Sequence, residues 1–142
     1  MTQKDKELLL KDLTARLPYG VKIELSWCEW ISINTTLEPE CIEELLNDED
    51  GDIEVKPYLF PLSSMTEEQE KEIQEIIGNP DYACITRKTD GLELWLNFID
   101  TDPTIWLDAI FEVQDYLIKN HFDYRGLIPM RLAIDATNLN IY

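Results

Sequence analysis

The chain has few of the residues on which common binding and catalytic motifs depend. It contains one histidine, His121, and this excludes a metal site built from several histidines. Its five glycines are scattered, so the sequence has no glycine-rich loop that would cradle a phosphate. The longest basic cluster is the pair Arg87 and Lys88, which argues against nucleic-acid binding.

Cysteines and long apolar runs are scarce as well. The three cysteines are Cys28, Cys41 and Cys84, an odd number without a close pair, so we expect free thiols rather than disulfides or a zinc knuckle. No apolar run is long enough to cross a bilayer. The first ten residues lack the apolar core and cleavage site of a signal peptide. We therefore expect a cytoplasmic protein that makes no membrane contact and needs no cofactor or metal.

Acidic residues are abundant and unevenly placed. The chain holds 29 acidic and 12 basic side chains, for a net charge of −17. Three segments, 38–56, 66–75 and 90–115, carry −8, −4 and −7 of it. Such a surface repels phosphate backbones and anionic membranes and attracts basic protein surfaces. Because 44% of the residues are hydrophobic, we expect a folded acidic domain rather than a disordered tail.

Local patterns in the first quarter of the chain predict a helix and a strand. Thr2 and Asp5 have the spacing of a capping box and predict a helix from about Gln3 to Leu17. Apolar and polar residues then alternate from Val21 to Cys28, which predicts a strand with one buried face. The alternation breaks at Glu29, so either the strand bulges there or a tight turn begins a second strand.

The next stretch combines a short helix, an acidic loop and an extended segment. We predict the helix over Glu40 to Leu46, and the loop over Asn47 to Asp52. Residues Ile53 to Phe60 have the composition of a strand. Because proline cannot donate to a ladder, Pro57 and Pro61 place this segment at a sheet edge or make it a strap across the core.

The second half of the chain predicts two helices, a hairpin and an irregular tail. A helix capped by Thr66 runs to about Ile77, and Asp102 with Pro103 begins another that ends near Asn120. Strands 82–87 and 92–99 flank an Asp-Gly hairpin signal between these helices. Residues 121–142 indicate a partly buried tail. We therefore predict one α+β domain over residues 1–142, with a mainly antiparallel sheet of four to five strands and three main helices.

Candidate chemical sites are weak. Asp48, Asp50 and Asp52 superficially resemble a calcium loop, but aligning Gly51 with the invariant EF-hand glycine puts Pro57 where the closing glutamate belongs. We interpret the segment as a solvated loop. His121 and the carboxylate pair Asp100 and Asp102, with Asp90 and Glu93 upstream, leave an enzyme or small-molecule binder as an alternative. The simpler account of these groups is helix capping and turn chemistry.

The four tryptophans, Trp27, Trp30, Trp95 and Trp106, have two interpretations. In a small α+β domain, tryptophans usually fill the core. Trp30 and Trp95, however, are out of phase with the alternation around them, so either one could lie exposed on a sheet face and anchor a protein partner. A self-interface at Trp95 would make the protein a homo-oligomeric structural component, which is a further alternative.

Three stretches resemble a known group of proteins. They are Leu13–Val21 (LTARLPYGV), Lys56–Glu68 (KPYLFPLSSMTEE) and His121–Ile128 (HFDYRGLI). By their order along the chain they are similar to an uncharacterised family of small acidic proteins encoded by phages and mobile elements of gut bacteria. The resemblance implies an intracellular accessory protein that acts against or within a host pathway, and it brings no catalytic or ligand-binding residues with it.

Our leading hypothesis from the sequence is a non-enzymatic protein that binds a basic surface of a protein partner. A sharper version is DNA mimicry, in which carboxylates imitate phosphates and block a nucleic-acid-binding enzyme. An equally weighted alternative is that the acidity serves solubility alone. The predicted protein-binding residues are Glu43, Glu44, Asp48, Glu49, Asp50, Asp52, Trp30 and Trp95.

Overall fold

The computed structural model describes residues 1–28, 30–78, 83–88, 91–96 and 103–142, with the backbone alone for 83–85, 87–88, 91–96 and 103–106. The helices in these ranges are α1 (Gln3–Arg16), α2 (Pro39–Asn47), α3 (Glu67–Ile77) and α4 (Pro103–Lys119). The strands are β1 (Lys22–Trp27), β2 (Ile31–Thr36), β3 (Ile53–Pro61), β4 (Ala83–Lys88), β5 (Gly91–Leu96), β6 (Phe122–Asp123) and β7 (Ile134–Asp135).

Two helices begin at the capping boxes that the sequence predicts. At α1 the Thr2 hydroxyl accepts the Asp5 amide at 3.2 Å, and the Asp5 carboxylate accepts the Thr2 amide at 2.9 Å. Thr66 and Gln69 form the same pair of bonds at the start of α3. Each box satisfies two amides that the first turn of a helix leaves without a partner. The prediction of Pro103 as the first residue of α4 is also confirmed, whereas its cap at Asp102 lies outside the described residues.

The main sheet has five strands in the order β2-β1-β3-β6, with β7 also paired to β3. Strands β1, β2 and β3 are antiparallel neighbours, and β6 and β7 add short parallel pairs. The predicted α+β fold with a mainly antiparallel sheet is therefore confirmed. Strands β4 and β5 form the predicted hairpin as a separate two-stranded sheet. The Asp-Gly turn signal falls partly at residues 89–90, which lie outside the described residues.

The break in alternation falls between two strands that pair with each other. Strands β1 and β2 form a hairpin in which Trp27 pairs with Ile31. Cys28 has a positive φ of 59°, an unusual backbone conformation that reverses the chain without glycine or proline. Of the two alternatives left by the sequence, the tight turn into a second strand is confirmed and the bulge is wrong.

The prediction from Pro57 and Pro61 that this segment lies at a sheet edge or forms a strap across the core is wrong, because β3 lies inside the sheet between β1 and the pair β6 and β7. Pro57 pairs with Ile23, which also pairs with Thr35 of β2. In antiparallel pairs, hydrogen-bonded and non-bonded positions alternate, and the bond from the Leu37 amide to the Val21 carbonyl makes Ile23 a position bonded to β2. Pro57 therefore needs no amide toward β1.

Two apolar clusters hold the helices and the main sheet together. The larger one joins α1 and α2 to the sheet through Leu9, Leu13, Ile23, Leu25, Leu45, Val55 and Leu59. The smaller one joins α3, α4 and β6 through Met65, Ile73, Val113 and Phe122. Because α1 and α2 cover one face of β1 and β3, the charged residues of α2 are left on the outside of the molecule.

Tyr142 extends the ladder between β1 and β3. The register ends at the pair Ile23 and Pro57, and the next pair would be Lys22 and Tyr58. Instead, the Tyr142 hydroxyl accepts the Lys22 amide at 3.0 Å and donates to the Tyr58 carbonyl at 2.7 Å. Burial raises the pKa of Tyr142 to about 12, so the hydroxyl keeps its proton at neutral pH.

Replacing Tyr142 by phenylalanine is expected to lower the free energy of unfolding by about 1–2 kcal/mol, because one backbone donor and one acceptor lose their shared partner. Urea denaturation followed by circular dichroism measures the change. The matched control is Tyr19→Phe, at a tyrosine of similar exposure whose hydroxyl bonds no other described residue, and it should change the stability by less than about 0.5 kcal/mol. Equal stabilities of the two variants would show that water replaces the hydroxyl at no cost.

Candidate protein-interaction site

All six acidic residues that we predicted to bind protein line one concave surface, which we call the acidic concavity. It has a volume of about 710 Å³ and lies between α2 and the loop that follows it. It is lined by Glu40, Glu43, Glu44, Asn47, Asp48, Glu49, Asp50, Asp52 and Ile53. The structure thus gathers every acidic residue that we predicted to bind protein, and it adds Glu40, which the sequence left out.

Helix α2 places its acids by burying its opposite side. Cys41 and Leu45 lie one turn apart and are buried in the larger apolar cluster. Glu40, Glu43 and Glu44 lie away from that buried side and reach the concavity. No basic residue is present in the last turn of α2. Because the C-terminal end of a helix is its negative end, each acid at this end costs about 0.3–1 kcal/mol of stability at low salt.

The acidic loop after α2 is built around Asp48. One carboxylate oxygen of Asp48 accepts the amides of Gly51 at 3.0 Å and Asp52 at 3.1 Å, and the other accepts the Ile53 amide at 3.2 Å. Gly51 has a φ of 78°, which a residue with a side chain rarely adopts. Asp48 therefore shapes the loop, and its neighbours Glu49, Asp50 and Asp52 present their carboxylates around it.

Internal contacts use two of the predicted acids and leave others to solvent. Glu44 accepts the Trp27 indole N–H at 3.2 Å, which ties α2 to the sheet, while Asp48 holds the loop. The Lys6 ammonium donates to the Asp48 backbone carbonyl at 3.0 Å rather than to a carboxylate. Within the described ranges, no ion pair neutralises the other acidic residues of the concavity, which are Glu40, Glu43, Glu49, Asp50 and Asp52.

Of the two tryptophans predicted to be exposed, Trp30 lies on the surface. It is 88% exposed at the turn between β1 and β2, and Ile31 and Ile33 after it are 58% and 46% exposed. The side chain of Trp95 lies outside what the structure describes, so its role stays a prediction. Trp27 is partly buried against the larger apolar cluster, in the ordinary role of a tryptophan in a small domain.

The segment 121–128 makes internal contacts that fix the end of the chain to α1. The Asp123 carboxylate accepts the amides of Leu127 and Ile128, each at 2.8 Å. Arg125 approaches Asp12 of α1 at 3.2 Å, and its guanidinium lies 4.7 Å from the centre of the Tyr124 ring. Through these contacts the segment is part of the packed structure that joins the end of the chain to α1.

His121 lines a second cavity, of about 460 Å³, together with aromatic residues that include Phe60 and Tyr142. Its ring stacks on that of Tyr142 with the centroids 4.1 Å apart, and its Nδ1 is buried without a hydrogen-bond partner among the described residues. Burial, and secondarily the charge of Arg16, lowers the pKa of His121 to about 4. The ring is therefore neutral at pH 7.

This lowered pKa makes a prediction for stability. His121 has a pKa of 6.5 in the unfolded chain and about 4 in the folded protein, so the unfolded chain binds the proton first as the pH falls. The free energy of unfolding should therefore fall as the pH falls from 6.5 to 4. His121→Phe keeps the stacking and removes the proton, so its stability should vary less from pH 6.5 to 5. Urea denaturation of both proteins across that range measures the difference. Parallel curves would show that His121 titrates normally in the folded state.

The structure does not describe the side chains of the other residues that the sequence offered for catalysis or small-molecule binding. Asp90, Asp100 and Asp102 lie outside the described residues, and Glu93 is described by its backbone alone. Within the part of the chain that is described, no group of three or more histidine, cysteine, aspartate or glutamate side chains is arranged to hold a metal ion. In the same part, none of the helices has the length and apolar character needed to cross a membrane.

Comparison with known proteins identifies no relative. No protein-family model, no curated protein and no solved structure matches the chain at a significant level. The function of this protein is therefore inferred from its own residues and geometry.

Proposed function

We propose that this chain is a non-enzymatic interaction protein that binds a basic surface of a protein partner through the acidic concavity. The observation that carries the proposal is the convergence of seven carboxylate residues on one concave surface. Opposite charge raises the rate of encounter and favours a partner whose lysines and arginines can enter the concavity. Trp30, exposed at the turn between β1 and β2, supplies an aromatic anchor of the kind that interfaces favour.

The position of the acids supports a role in binding beyond solubility. Acids that serve solubility alone can lie anywhere on the surface, including helix N-termini, where they stabilise the fold. Here Glu40 lies in the first turn of α2, but four of the seven acids follow its C-terminal end, where the helix dipole and their mutual repulsion oppose folding: Asp48, Glu49, Asp50 and Asp52. A basic partner removes both penalties when it binds.

The experiment is an affinity capture from a bacterial lysate at low and high salt, with wild-type protein and two charge-reversed variants. The test variant carries Glu43→Lys, Glu49→Lys and Asp50→Lys, which spares Glu44 and Asp48 because these hold internal bonds. The matched control replaces Glu67, Glu68 and Glu75 of α3 by lysine, which changes the net charge by the same amount. Mass spectrometry identifies the captured proteins.

A basic protein captured by the wild type and the α3 control, and lost from the test variant or in high salt, is the expected result. Capture by all three proteins would contradict the proposal. Displacement of the captured protein by double-stranded DNA would support the finer proposal of DNA mimicry. If no protein is captured at either salt concentration, solubility becomes the better account of the acids.

A phage or mobile-element origin, with a target in the host, belongs to the same proposal. It is supported by the resemblance of three segments to the accessory proteins described above, and a target among host nucleic-acid-binding proteins would agree with it. A second candidate function is small-molecule binding at His121, favoured by its unpartnered Nδ1 beside an aromatic cavity.

A further inference from the structure

The cavity that His121 lines is separate from the acidic concavity and shares no lining residue with it. Its volume of about 460 Å³ is within the range of about 300–1,000 Å³ that is usual for small-molecule sites. It is lined by the end of β3, the start of α3, the end of α4 and the chain that follows α4. Folding therefore brings together residues as far apart in the sequence as Phe60 and Tyr142.

Connected aromatic rings line this cavity. The Phe60 ring lies 6.4 Å from that of Phe122 and 5.7 Å from that of Tyr142, and both pairs are tilted. The Tyr142 ring stacks in turn on that of His121. Tyr142 is nevertheless 47% exposed, and Phe60 is partly exposed. The lining thus offers aromatic surface that a further ring can cover by stacking or edge-to-face contact.

The lining differs in charge from the rest of the molecule. None of its described residues has an acidic side chain, although 29 of the 142 residues of the chain are acidic, and Glu67 and Glu70 of α3 line a separate surface. Because His121 is neutral at pH 7, Lys119 carries the only charge among the described side chains of the lining. Lys119 disfavours a cation, and the net charge of −17 disfavours an anion at long range, so a neutral molecule fits the cavity best.

Two amide side chains of the lining retain hydrogen-bonding groups for a ligand. Gln69 Oε1 accepts the Thr66 amide at 2.9 Å, and Gln69 Nε2 bonds no other described residue. Asn120 Nδ2 donates to the Tyr116 carbonyl at 2.9 Å, and Asn120 Oδ1 bonds no other described residue. One donor and one acceptor therefore remain, and they match a molecule that has both a carbonyl oxygen and an N–H group, as a primary amide does.

We propose that this cavity binds a small, neutral aromatic amide. Its ring packs against Phe60 and Tyr142, its carbonyl oxygen accepts a hydrogen bond from Gln69 Nε2, and its N–H group donates to Asn120 Oδ1. This inference deepens the second candidate function, small-molecule binding at His121, and rests on it. It needs no residue of the acidic concavity.

The test is a titration of the whole chain with benzamide, followed by two-dimensional amide NMR. Benzoate and benzamidine have the same ring with a negative or a positive group, and cyclohexanecarboxamide keeps the amide without the aromatic ring. Benzamide is expected to bind with a Kd near about 1 mM, as is usual for a ligand of so few atoms, and to shift the signals of Phe60, Gln69 and Asn120. The other three molecules should bind there at least about fivefold more weakly.

Two variants test the contacts, each with a matched control. Gln69→Glu removes the Nε2 donor and keeps the cap of α3, because glutamate can accept the Thr66 amide in the same way. It should bind benzamide about tenfold more weakly, whereas Gln3→Glu, the same change at an exposed position, should bind it as the wild type does. Phe60→Leu should also weaken binding at least about threefold, and Phe111→Leu, at an exposed phenylalanine of α4, should not.

Several results would overturn the proposal. They are equal benzamide binding by the wild type and Gln69→Glu, equal or tighter binding of any of the three analogues, and signal changes confined to residues outside the cavity. The absence of any change with benzamide at about 10 mM would overturn it too.

The outcomes separate this inference from the functions on which the chain is proposed to act. An analogue that binds at the cavity in place of benzamide would keep small-molecule binding and reject the amide class, whereas no binding of any of the four molecules would reject both. The variant with Glu43, Glu49 and Asp50 reversed should bind benzamide as the wild type does, and Gln69→Glu should still capture the basic partner. The acidic concavity and this cavity can therefore fail independently.

Discussion

Replacing Asp12 by alanine is expected to lower the free energy of unfolding by about 3–5 kcal/mol, because it leaves a buried arginine without its counter-ion. Asp12 and Arg16 are both 0% exposed, and Arg16 Nε lies 2.6 Å from the Asp12 carboxylate. Arg16 also donates to the carbonyl of Phe122 at 2.7 Å, so the pair ties α1 to β6. Urea denaturation measures the loss.

A double variant, Asp12→Leu with Arg16→Met, tests the physical reason for this loss. The double variant removes the fully buried charge of Arg16 and leaves only Arg125, whose side chain is 16% exposed, without its counter-ion, so it should be more stable than Asp12→Ala. It will not recover fully, because the carbonyls of Ile118 and Phe122 then lose their donor. A double variant that is less stable than the single one would show that the ion pair itself, rather than charge burial, controls the effect.

Replacing Asp123 by alanine should lower the free energy of unfolding by about 2–4 kcal/mol. Its carboxylate accepts two amides at 2.8 Å, and one of them belongs to the buried Leu127. Charge-assisted bonds of this kind contribute more than neutral ones, and their loss leaves both amides unsatisfied. Thermal or urea denaturation, with Asp123→Asn as an intermediate that keeps one acceptor, measures the change.

The matched control for Asp123 is Asp135→Ala. Asp135 accepts the Thr137 amide at 2.9 Å in a similar local turn, but the site is exposed, so water can replace the carboxylate. The loss there should stay below about 1 kcal/mol. Equal losses in the two variants would contradict the view that burial sets the size of the Asp123 effect.

Local patterns predicted the helices and most strands well. The capping boxes at Thr2 and Thr66 begin α1 and α3, and the alternation after Val21 marks β1. Each of these features involves residues within a few positions of each other, so it can be predicted without knowing the tertiary structure. The position of β3 is different, because Pro57 is compatible with the sheet interior only through its register against Ile23.

The buried ion pair also has a local signal in the sequence. Asp12 and Arg16 are four residues apart and flank Leu13, which belongs to the apolar stripe of α1. Spacing predicts the pair, but not its burial. The burial is decided by Ile118 and Phe122, whose carbonyls lie against Arg16 although they are more than a hundred positions away in sequence.

The sequence predicted which residues belong to the candidate site, but it did not predict the concave shape that they form. The sequence showed that acids concentrate at 38–56 and that Trp30 is out of phase with its strand. The concavity forms because Leu45 of α2 is buried and because Asp48 folds the following loop back. The exposure of Ile31 and Ile33 depends on where the covering helices end.

By itself, the sequence determined the net charge, the caps, the α+β class and the segments that carry the acids. The tertiary structure alone decided which strand is interior and which acids share a surface. The physical reason is the separation along the chain of the residues that interact. Capping and alternation depend on neighbours in the chain, whereas burial and pairing depend on contacts between residues that only folding brings together.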